Sequence, residues 1–234
     1  AFVYQRDGTN WVLQAYLKAS NTGSDDEFGY AVAIDGEIIV VGARYEDGDA
    51  NGSNGDGSNN NRSQSGAAYV FVRTGTNWTQ QAYLKPATND LTSGVFGSSV
   101  SISGRTVLIG APDDTHGGIH AGAADVFVSD GTTWSQQAFL RPHNPGHIDK
   151  FGGKVSISGD TLVVGAIQED SDASGVNGDG SDNSKTGAGA AYVFFRSGAT
   201  WSEQAFLKAS NPNINDQFGT SVAISGETVV VGAP

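Results

Sequence analysis

The chain has 234 residues, a formal net charge of −12, and neither cysteine nor methionine. Duplex-binding proteins need a basic footprint, so this acidic balance argues against nucleic acid as a partner. No disulfide can form, and stability must come from packing or from bound metal. No apolar run reaches transmembrane length or resembles a signal peptide. We therefore expect no membrane insertion and interpret the sequence as a mature form or an excised piece.

Four short β-rich segments recur along the chain in a fixed order, which is the signature of a repeat architecture. The first reads AFVY or AYVF, and the second begins at a tryptophan and continues as QAYLK or QAFL. The third opens with Phe-Gly, and the fourth reads VVGA or LIGA. Tight turns such as IDGE and ISGR join the last two, with glycine supplying the positive φ that short hairpins need. Four strands per unit are predicted, with tryptophans at Trp11, Trp78, Trp134 and Trp201 and Phe-Gly pairs beginning at Phe28, Phe96, Phe151 and Phe218.

The polarity of the segments is graded across each unit. Residues 38–41 (IIVV) are apolar on both faces, whereas residues 78–85 (WTQQAYLK) carry the polar positions of an outer edge strand. A four-stranded meander of this kind is a propeller blade. We predict an all-β fold in which 1–234 is a single β-propeller domain of four-stranded antiparallel blades, with repeat units near 1–43, 67–111, 123–166 and 190–233.

The sequence holds four blades' worth of strands, and two arrangements remain open. The chain starts with the last two strands of a blade and ends with the first two, so these half-blades could pair and close a ring. The alternative is a slice of a larger, seven-bladed ring.

Two stretches carry a resemblance to a known family. Residues 96–112 read FGSSVSISGRTVLIGAP and residues 218–234 read FGTSVAISGETVVVGAP. They resemble the bacterial branch of the FG-GAP repeats, which are similar to those of the integrin α-chain propeller. The resemblance implies a propeller in an extracellular or surface setting, with calcium sites and an adhesion or ligand-binding role. Integrin calcium loops lie between the Phe-Gly and Gly-Ala-Pro strands, and here that turn is too short to hold a cation.

Two long acidic loops, 46–61 and 169–184, are instead the candidate calcium sites. Both read D-x-D-x-[N/S]-G, the first half of an EF-hand-like loop, although no bidentate glutamate closes them. A solvated polar loop is the alternative, but close carboxylates repel one another without a cation. The predicted ligands are Asp47, Asp49, Asn51 and Asp56 in the first loop, and Asp170, Asp172, Ser174, Asp179 and Asp182 in the second.

The four histidines all fall in one unit, His116 and His120 in loop 113–122 and His143 and His147 in 143–150. Together they could bind Zn²⁺ or another transition metal. They could also supply acid–base groups to a polysaccharide-cleaving enzyme of the lyase kind. Their spacings match no known zinc motif, so chance placement in exposed loops is the alternative.

Other recurring residues are explained by structure. The tryptophans keep one repeat position, which favours packing over a sugar-stacking platform. Asp26, Asp149 and Asp216 each stand two residues before Phe-Gly, where an Asx turn can hold the strand entrance.

These observations predict a secreted or cell-surface protein of bacterial type, a non-catalytic calcium-binding module for adhesion or ligand binding. Its partner would be a protein or a glycan, and its oligomeric state is not predicted. One alternative is a polysaccharide-active enzyme, or its accessory propeller, centred on the histidines. The other is a structural repeat of a larger surface protein.

Overall fold

The computed structural model describes residues 1–87, 94–116 and 119–234. The predicted repeat unit 67–111 and the histidine-bearing loop 113–122 therefore lie partly outside the described residues. All the regular elements of any length in the described part are β-strands. They are β1 Phe2–Asp7, β2 Asn10–Tyr16, β3 Phe28–Asp35, β4 Ile38–Ala43, β5 Ala67–Thr74, β6 Asn77–Leu84, β7 Ser99–Ser103, β8 Thr106–Ala111, β9 Ala123–Ser129, β10 Trp134–Leu140, β11 Phe151–Ser158, β12 Thr161–Ala166, β13 Ala190–Ser197, β14 Thr200–Leu207, β15 Ser221–Ser225 and β16 Thr228–Gly232.

The strands form antiparallel sheets that follow chain order. Three sheets have four strands each, β3–β6, β7–β10 and β11–β14, and two sheets have two, β1–β2 and β15–β16. Each four-stranded sheet is a blade, and each two-stranded sheet is half of one. The prediction of an all-β propeller built from four-stranded antiparallel blades is confirmed.

The core lies between the faces of neighbouring blades. One cluster joins Val40 and Val70 of the first blade to Val100, Ile102 and Val107 of the second. The second strand of a blade is buried on both faces because it has a neighbouring sheet on each side, as the apolar IIVV run predicts. The inner strands β3, β7, β11 and β15 lie next to one another in this order.

The Phe-Gly and Gly-Ala motifs meet where one blade packs on the next. Phe96 is fully buried, and Gly97 has a φ of 88°. A Cβ on Gly42 would collide with the carbonyl oxygen of Gly97, and one on Gly110 would collide with that of Gly152. Glycine is therefore needed at the step between blades, because two backbones approach too closely there for any side chain.

The two half-blades do not pair with each other: β1–β2 and β15–β16 are separate sheets. Val32 and Ile34 of β3 are each 61% exposed, whereas their repeat equivalents Val100 and Ile102 are buried against the preceding blade. Of the two arrangements that the sequence left open, the structure does not show the closed ring formed by pairing of the half-blades. In this structure β1 is paired with β2 and β16 with β15.

Candidate functional site: twin clefts beside the long loops

Each long loop docks on the outer strand of its own blade. In the first blade, Asn54 donates its N–H to the Tyr83 carbonyl at 2.7 Å, and its side-chain oxygen accepts the Tyr83 N–H at 2.9 Å. In the third blade, Asn177 makes the same two contacts with Phe206, both at 2.8 Å. Isolated bridges Ser53–Leu84 and Val176–Leu207 continue this pairing. The loops therefore act as short additional edge segments on β6 and β14.

A buried lysine holds the base of each loop. In the first, the Lys85 ammonium contacts a Glu46 carboxylate oxygen at 2.6 Å, the Ser65 hydroxyl at 2.6 Å and the Gly66 carbonyl at 2.8 Å. Burial lowers the pKa of Lys85, and the Glu46 charge opposes that shift. Three protein oxygens thus accept hydrogen bonds from the Lys85 ammonium, a cation that the chain itself supplies.

The third blade repeats this arrangement. Lys208 contacts Glu169 at 2.5 Å and the Ser171 carbonyl at 2.8 Å. In both blades the lysine and the carboxylate are buried. Sequence reasoning missed these lysines because an outer-strand lysine next to a polar loop is usually exposed.

The predicted calcium ligands bond individually to nearby polar groups. Asp47 accepts the Gln64 N–H at 2.7 Å, and its counterpart Asp170 accepts the Gly187 N–H at 2.7 Å. Asp49 accepts from the Asn61 side chain, and Asp182 from the N–H groups of Asp172 and Ser184. Asp56 and Asp179 each accept the N–H two residues later, while Asn51 and Ser174 are exposed.

Hydrogen bonds dominate the electrostatics of these carboxylates. They lower the pKa values of Asp49, Asp56, Asp179 and Asp182 by stabilising the charged form. Across residues 1–87, 94–116 and 119–234, no three His, Asp or Glu side chains form a group that could hold a metal ion. The oxygen donors suit calcium chemically, but this arrangement is not a cation cage. Calcium binding stays a prediction.

The histidines lie in different surroundings. His120 and His147 are neighbours, with ring centroids 5.5 Å apart, whereas His116 packs against Phe139. His143 instead contacts Glu203, with Nδ1 2.6 Å from a carboxylate oxygen. The described residues show no grouping of three or more that would make a zinc site.

A cleft opens beside each docked loop. The first has a volume of 720 Å³ and the second 290 Å³. The 123-residue shift that relates the two loops also relates the clefts, placing His143 on Ser20, Asn177 on Asn54, Glu203 on Gln80 and Phe206 on Tyr83. The first cleft is lined by Ser20, Asn21, Thr22, Asn54, Gly55, Gly57, Ser58, Asn60, Gln80 and Tyr83, and the second by His143, Asn177, Gly178, Glu203, Gln204, Ala205 and Phe206.

The same wall of the two clefts has different chemistry. In the first, Gln80 accepts the Ser20 N–H at 3.0 Å and donates to the Ser20 hydroxyl at 2.9 Å. In the second, Glu203 accepts the His143 N–H at 3.1 Å and also contacts the ring. The first cleft is thus walled by neutral groups and the second by an imidazole–carboxylate pair. The 123-residue shift was the sequence signal that could have found Gln80 and Glu203.

The tryptophans link neighbouring blades. The indole N–H of Trp78, Trp134 and Trp201 donates to Gln14, Gln81 and Gln137 respectively, at 2.7–2.8 Å. Each glutamine belongs to the outer strand of the preceding unit. This contact supports the packing interpretation of the tryptophans.

The aspartates before Phe-Gly bond to the local backbone, but not through the predicted Asx turn, in which the side chain accepts the N–H two residues later. Asp26, Asp149 and Asp216 accept the N–H of the residue three positions earlier, at 2.6–2.7 Å. Burial raises the pKa of Asp149 to about 6, although the Gly146 hydrogen bond acts in the opposite direction. Burial also raises the pKa of Asp26.

The repeated antiparallel blades define a protein of the β-propeller class. The family model of the FG-GAP repeat matches residues 11–71, 78–127, 134–194 and 201–234. The chain therefore belongs to the FG-GAP repeat family, as the motifs predicted. A search of curated proteins found no match. Within the described residues, no helix is long and apolar enough to cross a bilayer.

Proposed function

We propose that this chain is a non-catalytic ligand-binding module of the adhesion type, secreted or displayed at a cell surface, whose ligand enters the twin clefts. The observation that carries the proposal is that five repeat positions (20/143, 54/177, 55/178, 80/203 and 83/206) line both clefts. Both clefts stand beside a long loop that docks on the outer strand. Binding and catalytic residues concentrate on loops that a rigid scaffold positions.

The lining of the first cleft favours an uncharged, hydroxyl-rich ligand such as a neutral glycan. Ser20, Thr22, Asn60 and Gln80 bring hydroxyl and amide groups, and Tyr83 adds an aromatic ring. Amides and hydroxyls both donate and accept hydrogen bonds, as sugar hydroxyls do. The volume of 720 Å³ lies in the usual range of ligand pockets.

Titration with a panel of neutral oligosaccharides, followed by calorimetry, tests this proposal. We expect Asn60→Ala and Gln80→Ala to weaken binding about tenfold each, because each removes a hydrogen-bonding group. Asn211→Ala is the matched control, since Asn211 is the repeat equivalent of Asn21 but lines neither cleft. Unchanged affinity in both cleft variants would show that the glycan binds elsewhere. If no oligosaccharide of the panel binds, neutral glycans are excluded as the ligand class.

The His143–Glu203 contact is the observation that favours a second candidate, a polysaccharide-active enzyme. An imidazole against a carboxylate inside a cleft can move a proton. Release of unsaturated or reducing ends from polysaccharides, lost in His143→Gln, would support it. If the protein shows no such activity on neutral or acidic polysaccharides, the enzyme is excluded and the binding module remains as the proposed function.

A further inference from the structure

We propose that a separate pocket, at the start of the inner strands β3, β7 and β11, binds a small organic carboxylate. This inner-strand pocket has a volume of 360 Å³, and it shares no lining residue with the twin clefts. Its polar lining includes Tyr30, Arg44, Tyr45, Asp113, Lys150 and Lys154. Failure of glycan binding at the clefts would leave this proposal standing.

The lining of this pocket is richer in basic residues than the chain as a whole. The whole sequence has 13 basic and 25 acidic residues, yet three cations and one carboxylate line this pocket. Lys150 forms an ion pair with the one lining carboxylate, Asp113. Arg44 is likewise paired with Glu27, and the exposed Lys154 adds a third positive charge against these two carboxylates. A pocket with a net positive charge attracts anions, so an anion is favoured as the ligand.

Arg44 is held in a fixed orientation. Its guanidinium carbon lies 3.7 Å from the centre of the Tyr30 ring and 4.4 Å from that of Tyr45. Its Nε donates to Glu27 at 2.6 Å, a bond that does not use the two terminal nitrogens. A guanidinium positioned in advance by aromatic rings can bind a carboxylate with little further loss of conformational entropy.

The blade fold does not require these cations. The repeat equivalents of Arg44 are Pro112 and Ile167, and those of Lys154 are Ala31 and Ser99. All four equivalents are uncharged and occupy the same backbone positions in other blades. The charges are therefore a local feature of this pocket rather than a condition of blade packing.

Apolar groups in the same pocket define the rest of the ligand. Val95, Pro112, Ile148 and Ile167 line it together with the cations. A bare inorganic anion would leave these surfaces in contact with water. A carboxylate on a short apolar skeleton satisfies both kinds of lining.

N-acetylleucine and its uncharged amide are matched probes, and their binding can be followed by NMR shifts of the pocket backbone. We expect the acid to bind at least about tenfold more tightly than the amide, because only the acid pairs with the cations. Lys154→Gln and Arg44→Gln should each weaken binding of the acid about tenfold, and added salt should weaken it further. Lys18→Gln, at an exposed lysine outside the pocket, should have no effect.

Three outcomes would overturn the proposal. Equal binding of the acid and the amide would show that charge plays no role in recognition. Absence of saturable NMR shifts would show that the pocket is not a binding site for this ligand. Displacement of the acid by equimolar phosphate would show a general anion site rather than a carboxylate site. Lys154→Gln serves as the main variant because its exposed side chain can be changed without disturbing the Arg44–tyrosine stack, and melting temperature checks that both variants fold.

Discussion

The ammonium of Lys85 lies 2.6 Å from the carboxylate of Glu46, and both residues are only 1% exposed. The two residues are 39 positions apart and join the outer strand β6 to the start of the first long loop. Lys208 and Glu169 repeat the contact in the third blade. Neither charge is hydrated, so water cannot replace the lysine as the partner of the buried carboxylate. Each lysine therefore anchors the base of its loop to the blade.

The first prediction concerns this pair. Lys85→Met leaves the Glu46 charge buried and unpaired, and we expect a loss of about 3–5 kcal/mol in the free energy of unfolding, measured in urea. The double variant Lys85→Met/Glu46→Gln should lose less than the sum of the single changes. Lys18→Met is the control, because Lys18 holds the same repeat position but is exposed. Equal stability of Lys85→Met and Lys18→Met would contradict the prediction.

The second prediction separates calcium binding from loop order. Calorimetry on chelator-treated protein should show calcium uptake, with Asp49→Ala and Asp172→Ala each removing one site, if the acidic loops are cation sites. We expect the loops to remain protease-resistant in chelator in either case. Their backbone contacts to β6 and β14 and their lysine pairs need no added ion. Cleavage within 46–61 or 169–184 that appears only after chelation would show that calcium orders the loops.

The third prediction is a pH dependence at Asp149. Burial raises its pKa to about 6 in the folded protein, from the ordinary 3.8 of an aspartate. The folded state therefore binds the proton more tightly, so this contribution to stability is fully present below the unfolded pKa and is lost as pH rises through the folded pKa. Asp149→Asn keeps an acceptor for Gly146 but cannot titrate. Between about pH 4 and pH 6, the unfolding free energy of the wild type should fall by up to about 3 kcal/mol more than that of the variant. Parallel stability curves for variant and wild type would contradict this.

The fourth prediction tests the tryptophan contacts between blades. Trp134→Phe removes the indole N–H that donates to Gln81 at 2.8 Å. We expect a loss of about 1 kcal/mol in unfolding free energy. Gln81→Ala should be partly non-additive with it in a double-mutant cycle. Trp11→Phe is the control, since Trp11 is 68% exposed, and an equal loss there would show that the indole bond contributes nothing.

Much of the fold could be read from local sequence. The strands β3, β4, β5 and β6 follow from short apolar runs bounded by turn residues, and the hairpin glycines follow from their positive φ. The hydrogen bond from the Gly146 N–H to Asp149 also joins residues only three apart. Such features depend on neighbours in the chain, so their pattern is visible without a structure.

Only the tertiary structure determined which residues of the site contact one another. Lys85 reaches Glu46, and Tyr83 reaches Asn54 across 29 positions, because the first long loop folds back onto β6. The sequence showed that the loops are acidic, but the path of the backbone determines which groups their carboxylates meet. Asp47 therefore bonds to the Gln64 N–H rather than joining other carboxylates. Whether β1–β2 pairs with β15–β16 likewise depends on how the blades between them pack, and not on the composition of any one strand.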